Sequence, residues 1–166
     1  MLLLLFYLGD VLFAIKCDKI REITPVVNLK IIQNCPAFLA GIFNYRGSIV
    51  PVIDMRQLIN GVPCRMKLST RIILINYEKS DKSQCVVGLM AERVTEAVMR
   101  PPEYFVPFSV NTEKKSYLSG MVMDDDRMIE HIDLELLDQD FAFITGINYS
   151  FTNDDSDFQG DFIDVT

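Results

Sequence analysis

Tryptophan is absent from this 166-residue sequence, histidine occurs once, and there are only eight glycines and seven prolines. So little glycine and proline excludes collagenous and low-complexity chains. The lone His131 has no second imidazole and no suitably spaced thiols, which removes support for a zinc site or a Ser-His-Asp arrangement and makes it a packing residue. Cys17, Cys35, Cys64 and Cys85 form no Cys-x-x-Cys pair and suit a reducing cytosol better than a disulfide framework. No glycine-rich loop leads into a helix as a nucleotide cradle requires, so Gly41, Gly47 and Gly120 answer turn or close-packing demands. No cofactor or metal is expected. A segregated basic patch is missing as well, and a formal charge of −7 repels phosphate backbones, so nucleic acid is not an expected partner.

Apolar residues make up 49% of the chain against 23% charged, enough for one ordinary domain or two very small ones to offset their ordering entropy by burial. The acidity is uneven. Residues 152–166 carry Asp154, Asp155, Asp157, Asp161 and Asp164 with no Lys or Arg, which leaves residues 1–151 near neutral at −2. Residues 152–166 therefore read as a solvated, disordered acidic tail outside the fold. The opening run Met1 to Leu8 lacks a basic n-region and a small-x-small cleavage site, is ended by Asp10, and is too short to span a bilayer. It reads as a buried first strand, with no direct membrane insertion.

Short segments rich in Val, Ile, Phe and Tyr predict a mainly β protein. The candidate strands are 2–8, 12–17, 41–44, 48–53, 71–77, 85–90, 118–123 and 128–132, punctuated by Gly9-Asp10, Arg46-Gly47, residues 80–83 and Asp124-Asp125-Asp126. Three consecutive acids at a hairpin tip read as a plain solvent-facing turn. Asp54, three residues before Gln57, predicts a helix N-cap, and Asp133 before Leu134 predicts another. Two blocks then repeat. Residues 38–42 and 49–55 lie over 117–121 and 128–134 at one constant offset of 79, as Gly41 over Gly120 and Asp54 over Asp133. An earlier block, residues 14–23, lies over 88–97 at an offset of 74, as Ile20 over Val94. Two copies of one small β unit, each near the lower limit for folding alone, must pack on one another. Five-stranded barrels of the SH3-like or OB kind fit so few short strands, and the groove between them is the natural binding place.

These segments resemble a known family. Phe6-Tyr7-Leu8-Gly9, Phe13-Ala14-Ile15, Ile20-Arg21-Glu22-Ile23 and the stretch from Pro36 to Met55 are similar to the CheW-like domain of bacterial chemotaxis coupling proteins. Asn44-Tyr45-Arg46-Gly47 followed by Ile49-Val50-Pro51-Val52-Ile53-Asp54 is the most specific part. The similarity continues through Val87-Gly88-Leu89, Val94, Tyr117 to Gly120 and Ile132-Asp133-Leu134. It implies two intertwined five-stranded SH3-like β-barrels with a pseudo-twofold internal repeat and short helices. The first would cover about residues 1–62 and the second about 68–140, with strand exchange between them, inside a domain of residues 1–151. It also implies a non-enzymatic, cytoplasmic adaptor associated with receptor arrays at the inner membrane through its partners. Those partners would be the cytoplasmic tips of methyl-accepting chemoreceptors, a CheA-type histidine kinase and other CheW-like domains. Some relatives serve pilus motility or surface sensing instead. Two stretches depart from the family's pattern: Met90-Ala91-Glu92-Arg93-Val94 displaces or enlarges an acidic position, and the proline-containing loop matches either Arg100 to Tyr104 or Pro107-Phe108.

The resemblance places Glu22 and Arg46 near a receptor-facing groove, with Ile20, Ile23, Asn44 and Gly47 beside them as receptor- or kinase-binding candidates. Glu103, Tyr104, Pro107 and Phe108 are the contact candidates of the second barrel. Each has a plainer reading: Glu22 and Arg46 as a fold-stabilising ion pair, Ile20 and Ile23 as core. A small-ligand sensor or enzyme using the groove is the rival from another class. It lacks a nucleophile-base motif, metal spacing or a phosphate loop.

Overall fold

The computed structural model describes residues 1–108 and 116–149; the tail expected over residues 152–166 lies outside them. The first strands are β1 (Leu2–Leu8), β2 (Val11–Lys16) and β3 (Ile20–Pro25), then β4 (Leu39–Tyr45), β5 (Ser48–Asp54) and the helix α1 (Met55–Asn60). There follow β6 (Arg71–Glu78), β7 (Gln84–Met99), β8 (Phe105–Pro107), β9 (Leu118–Asp124), β10 (Arg127–Ile132) and α2 (Asp138–Thr145). Short 3-10 turns lie at Cys17–Lys19, Pro102–Tyr104 and Leu134–Leu137. The protein is mainly β, as expected. β3, β8 and α2 add to the expected elements, and β7 runs nine residues beyond the expected end at Met90.

Both expected caps form. Asp54 Oδ1 accepts the Gln57 amide at 3.0 Å while its Oδ2 accepts the Cys64 amide at 2.9 Å, and Asp133 accepts the Glu135 amide at 2.9 Å. Each carboxylate satisfies an amide that would otherwise be orphaned at a helix start.

The repeat is visible in the hydrogen bonding. In the β4–β5 hairpin Leu39 faces Ile53, the register slips by one, and Gly41 faces Val52. In the β9–β10 hairpin Leu118 faces Ile132, the register slips at the same place, and Gly120 faces His131. Each hairpin then continues into a parallel pair with a strand of the other copy: Val52 beside Gly88 of β7, and His131 beside Ala14 of β2. Gly88 and Ala14 are themselves counterparts in the shorter-offset block. Neither half of the sheet is one sequential stretch, therefore. β1 and β2 sit with the second part of β7 and with β10, β9 and β8, whereas β6 and the first part of β7 sit with β3, β5 and β4.

Strand pairing among the described residues does not close either half into a ring. β3 pairs only with β6, β4 only with β5 and β8 only with β9, apart from a single bridge between Lys30 and Ile42. The expected five-stranded barrels are thus open sheets at the level of backbone hydrogen bonds.

Alternation along the strands sorts the core into three clusters. Ile72 and Leu74 face one interior with Val50, Val52 and Phe43, while Leu3, Leu5, Ala14, Val122 and Ile129 fill the other. The intervening residues Leu4, Phe6, Ile73, Ile75, Val87 and Leu89 join a third cluster drawn from both halves, which Phe141 and Ile144 of α2 cover. That shared cluster is why the copies do not separate: each sheet is apolar on both faces.

Gly41 and Gly120 show how close the chain approaches. A Cβ at Gly41, where φ is +153°, would stand 2.6 Å from the Lys30 carbonyl oxygen, and one at Gly120 would stand 2.4 Å from that of Val106. Both positions lie at the repeated register slip, where an outer segment crosses the hairpin. Close packing therefore explains both glycines.

Candidate functional site

The β4–β5 turn is a two-residue loop, and both of its central residues, Arg46 at φ 49° and Gly47 at φ 88°, lie in the left-handed region that hairpin twist favours. Asn44 Oδ1 accepts the Gly47 amide at 2.9 Å, which fixes the turn from within. Of the six first-barrel candidates, Asn44, Arg46 and Gly47 occupy this tip, while Ile20, Glu22 and Ile23 lie on β3.

Glu22 joins the two groups. Its Oε2 accepts a hydrogen bond from the Tyr45 hydroxyl and lies 3.5 Å from the Arg46 guanidinium. Tyr45 is held on three sides: the Arg46 guanidinium lies 5.0 Å and that of Arg21 5.9 Å from its ring centre, and Phe43 packs edge-on at 6.2 Å. Arg46 remains 69% exposed. An ion pair so open to solvent contributes little to stability, so the cluster presents an oriented cation more than it braces the sheet. Ile23 is exposed beside it, whereas Ile20 is half-buried against the shared core. Tyr45 and Arg21 lie inside the recognised segments but are not among the site candidates read from them; their roles follow from β3 and β4 standing side by side without backbone pairing.

The second-barrel candidates are in the other half of the sheet. Glu103 and Tyr104 are exposed on a 3-10 turn, Pro107 is exposed on β8, and Phe108 is half-buried with its amide donating to Ser119 at 3.2 Å. The structure does not bring these residues to the Glu22 cluster as one set.

The counterpart tip has diverged. Asp124 occupies the place of Tyr45, and Asp125 that of Arg46 with a similar φ of 48°. The expected solvent-facing acidic turn holds for Asp125 and Asp126 but not for Asp124, which is only 7% exposed. Its Oδ1 accepts from Arg100 at 2.8 Å and its Oδ2 from Arg127 at 2.6 Å, while Arg127 also reaches Glu96, the counterpart of Glu22, at 3.5 Å. The hydrogen bond from Arg127, supported by Arg100, holds the Asp124 carboxyl below the usual carboxylate range. One tip is open and cationic; the other is internally neutralised beneath two exposed acids.

Where β7 passes from one half to the other, Arg93 adopts φ 44° and Glu92 turns inward. Glu92 accepts the Gly9 amide at 2.8 Å and the Arg65 amide at 3.0 Å and pairs with Arg56 at 3.5 Å. The departure from the family's acidic pattern is a buried tie among the β1–β2 turn, the loop before β6 and α1.

His131 is buried among packed residues, as expected. Its Nδ1 lies 2.7 Å from Ser119 Oγ, Phe105 packs edge-on at 5.5 Å, and burial pushes its pKa down. Among the described residues no group of three or more His, Cys, Asp or Glu side chains could hold a metal ion, and no helix is long and apolar enough to cross a membrane. The concavity between Lys16, Lys19 and Asp133, just after β10, is about 150 Å³, while open clefts of about 360 Å³ beside Arg65 and Glu92 and about 370 Å³ beside Met1 and Cys17 lie elsewhere on the surface.

The model of the CheW-like domain matches residues 2–141. The chemotaxis protein CheW of Klebsiella aerogenes is 31% identical over 137 residues, covering 81% of this chain and 79% of that one. A probable chemotaxis protein CheW of Rhizobium etli is 28% identical, with 81% and 85% covered. The crystal structure of the scaffolding protein TtCheW from Thermoanaerobacter tengcongensis superposes with a TM-score of 0.68 at 27% identity, covering 80% of this chain and 84% of that one. The paired hairpins, the strands shared between the halves and these likenesses lead to one conclusion: the chain belongs to the CheW-like domain family, whose relatives here are chemotaxis and scaffolding proteins.

Proposed function

We propose that this protein is a coupling adaptor, joining the cytoplasmic tip of a methyl-accepting chemoreceptor to a CheA-type histidine kinase in the cytoplasm. The observation that carries the reading is Arg46, an exposed cation aimed by Glu22 and Tyr45 at a hairpin tip, with exposed Ile23 on the adjacent strand. An aimed charge beside an apolar side chain is what a protein partner of complementary polarity recognises. The work is binding rather than chemistry: Glu22, Asn44, Arg46, Gly47 and Ile23 form the first contact surface. Glu103, Tyr104, Pro107 and Phe108 belong to a second. Ile20 supports the first from behind. Two unlike tips on one pseudo-symmetric body suit a module that joins unlike neighbours.

The test is reconstitution. Kinase, receptor fragment and this protein are mixed on membranes, and co-sedimentation and kinase activity are read. Recruitment of the kinase that requires this protein supports coupling, and recruitment unchanged without it refutes it.

A further inference from the structure

The loop from Gly61 to Thr70, between α1 and β6, combines exposed apolar and cationic side chains. Val62, Met66 and Leu68 are exposed, Leu68 by 66%. Arg65 and Lys67 alternate with them, also exposed, and neither has an ion-pair partner among the described residues. They line a cleft against the β1–β2 turn together with Asp10, Glu92 and Arg93, of which Arg93 already pairs with Asp10 at 3.7 Å and donates to the Gly9 carbonyl at 2.8 Å, while Glu92 is tied to Arg56.

This loop is held in place despite its exposure. Its Cys64 amide is bound by Asp54 at 2.9 Å and its Arg65 amide by Glu92 at 3.0 Å, while Thr70 Oγ1 donates to the Arg65 carbonyl at 2.6 Å and accepts the Lys67 amide at 3.2 Å. A surface so fixed loses little further freedom on binding.

Residues 150–166 are complementary to it in kind. They carry five Asp and no cation, and interleave those acids with apolar residues: Asp157-Phe158, then Asp161-Phe162-Ile163-Asp164-Val165. Seventeen extended residues reach about 55–60 Å, more than the width of a folded body of this size, whose radius of gyration is about 14–15 Å. From Tyr149 the loop is within reach.

We propose that residues 150–166 of this chain dock on the 61–70 loop, their Asp side chains against Arg65 and Lys67 and their Phe and Ile side chains against Met66 and Leu68. The association is intramolecular and salt-sensitive, since exposed charges are screened over about 8–10 Å at 0.1–0.15 M salt. It goes beyond the adaptor reading and does not depend on it.

The test uses the full chain, labelled for amide NMR. Arg65→Glu with Lys67→Glu is expected to shift the amides of residues 154–166, and Asp→Asn at all five acidic tail positions is expected to shift those of residues 62–68. Both sets of differences should shrink as salt rises from about 0.05 to about 0.2 M. Thermal melts confirm that each variant is folded; if the loop variant is not, the tail variant alone decides. Tail and loop amides that ignore each other's substitutions overturn the proposal. Cross-shifts that fade on about tenfold dilution also overturn it, because they assign the loop to the tail of a second copy.

Discussion

The Tyr45 hydroxyl donates to the same Glu22 carboxylate oxygen that the Arg46 guanidinium approaches at 3.5 Å. The phenol bond is partly shielded and the guanidinium contact is open, so the two partners of one oxygen make separable contributions. Tyr45→Phe is expected to lower stability by about 0.5–1.5 kcal/mol, the usual net worth of a hydrogen bond. Arg46→Ala is expected to change it by less than about 1 kcal/mol. Urea melts of both variants check the order; a larger loss for Arg46→Ala would make the cation a structural brace.

Asp124 is expected to behave oppositely to its neighbours. Asp124→Asn weakens two charge-assisted bonds in a buried setting and is expected to cost about 1–3 kcal/mol, whereas Asp125→Asn and Asp126→Asn cost less than about 0.5 kcal/mol. The folded Asp124 carboxyl titrates below its unfolded value, so its stabilisation is present above about pH 4 and is lost as pH falls through the folded pKa. Acid unfolding of Asp124→Asn should therefore be less steep in that window than that of the unsubstituted protein.

His131 supplies a second pH signature. Burial lowers its folded pKa, so the unfolded chain takes up a proton first and stability falls as pH drops from about 6.5 toward the folded pKa. His131→Gln is expected to lose that component. Melting temperatures between about pH 7 and pH 5 measure it, and parallel curves for both proteins would show that His131 does not titrate on unfolding.

Gly120→Ala places a Cβ against the Val106 carbonyl and the Phe105 ring, and Gly41→Ala places one against the Lys30 carbonyl. Each is expected to cost about 1–3 kcal/mol, about 2–12 °C in melting temperature at 2–4 °C per kcal/mol. Gly120→Ala should also free the amides of β8 to exchange. Unchanged protection there would mean that β8 tolerates the side chain.

What the sequence revealed follows from the range over which each signal acts. The hairpins and the Asp54 and Asp133 caps are local patterns, and the repeat at an offset of 79 is a likeness between short local segments, so all are legible in residues alone. β3 is not, because Arg21 and Glu22 interrupt its apolar residues and one of its edges has no paired strand among the described residues. The strand expected over 85–90 ends short of the observed β7 because the charges of Glu92-Arg93 interrupt the apolar run; in the folded chain Glu92 is satisfied by Gly9, Arg65 and Arg56 from three distant segments. Asp124 departs from the expected solvent-facing turn for the same reason, since its partner Arg100 is 24 residues away. The resemblance points to Glu22 and Arg46 as groove residues and the plainer reading pairs them, while nothing linear marks the bond that Tyr45, inside the same turn segment, makes to Glu22.

An adaptor of this kind needs its two unlike tips to serve different partners. Calorimetric titration of Arg46→Glu and of Asp125→Asn with Asp126→Asn against a kinase regulatory domain and a receptor cytoplasmic fragment tests it most directly. Arg46→Glu is expected to weaken one partner about tenfold or more, about 1.4 kcal/mol, while the other stays within about twofold, and the Asp125/Asp126 variant is expected not to repeat that pattern. Equal losses for both partners in both folded variants would contradict it.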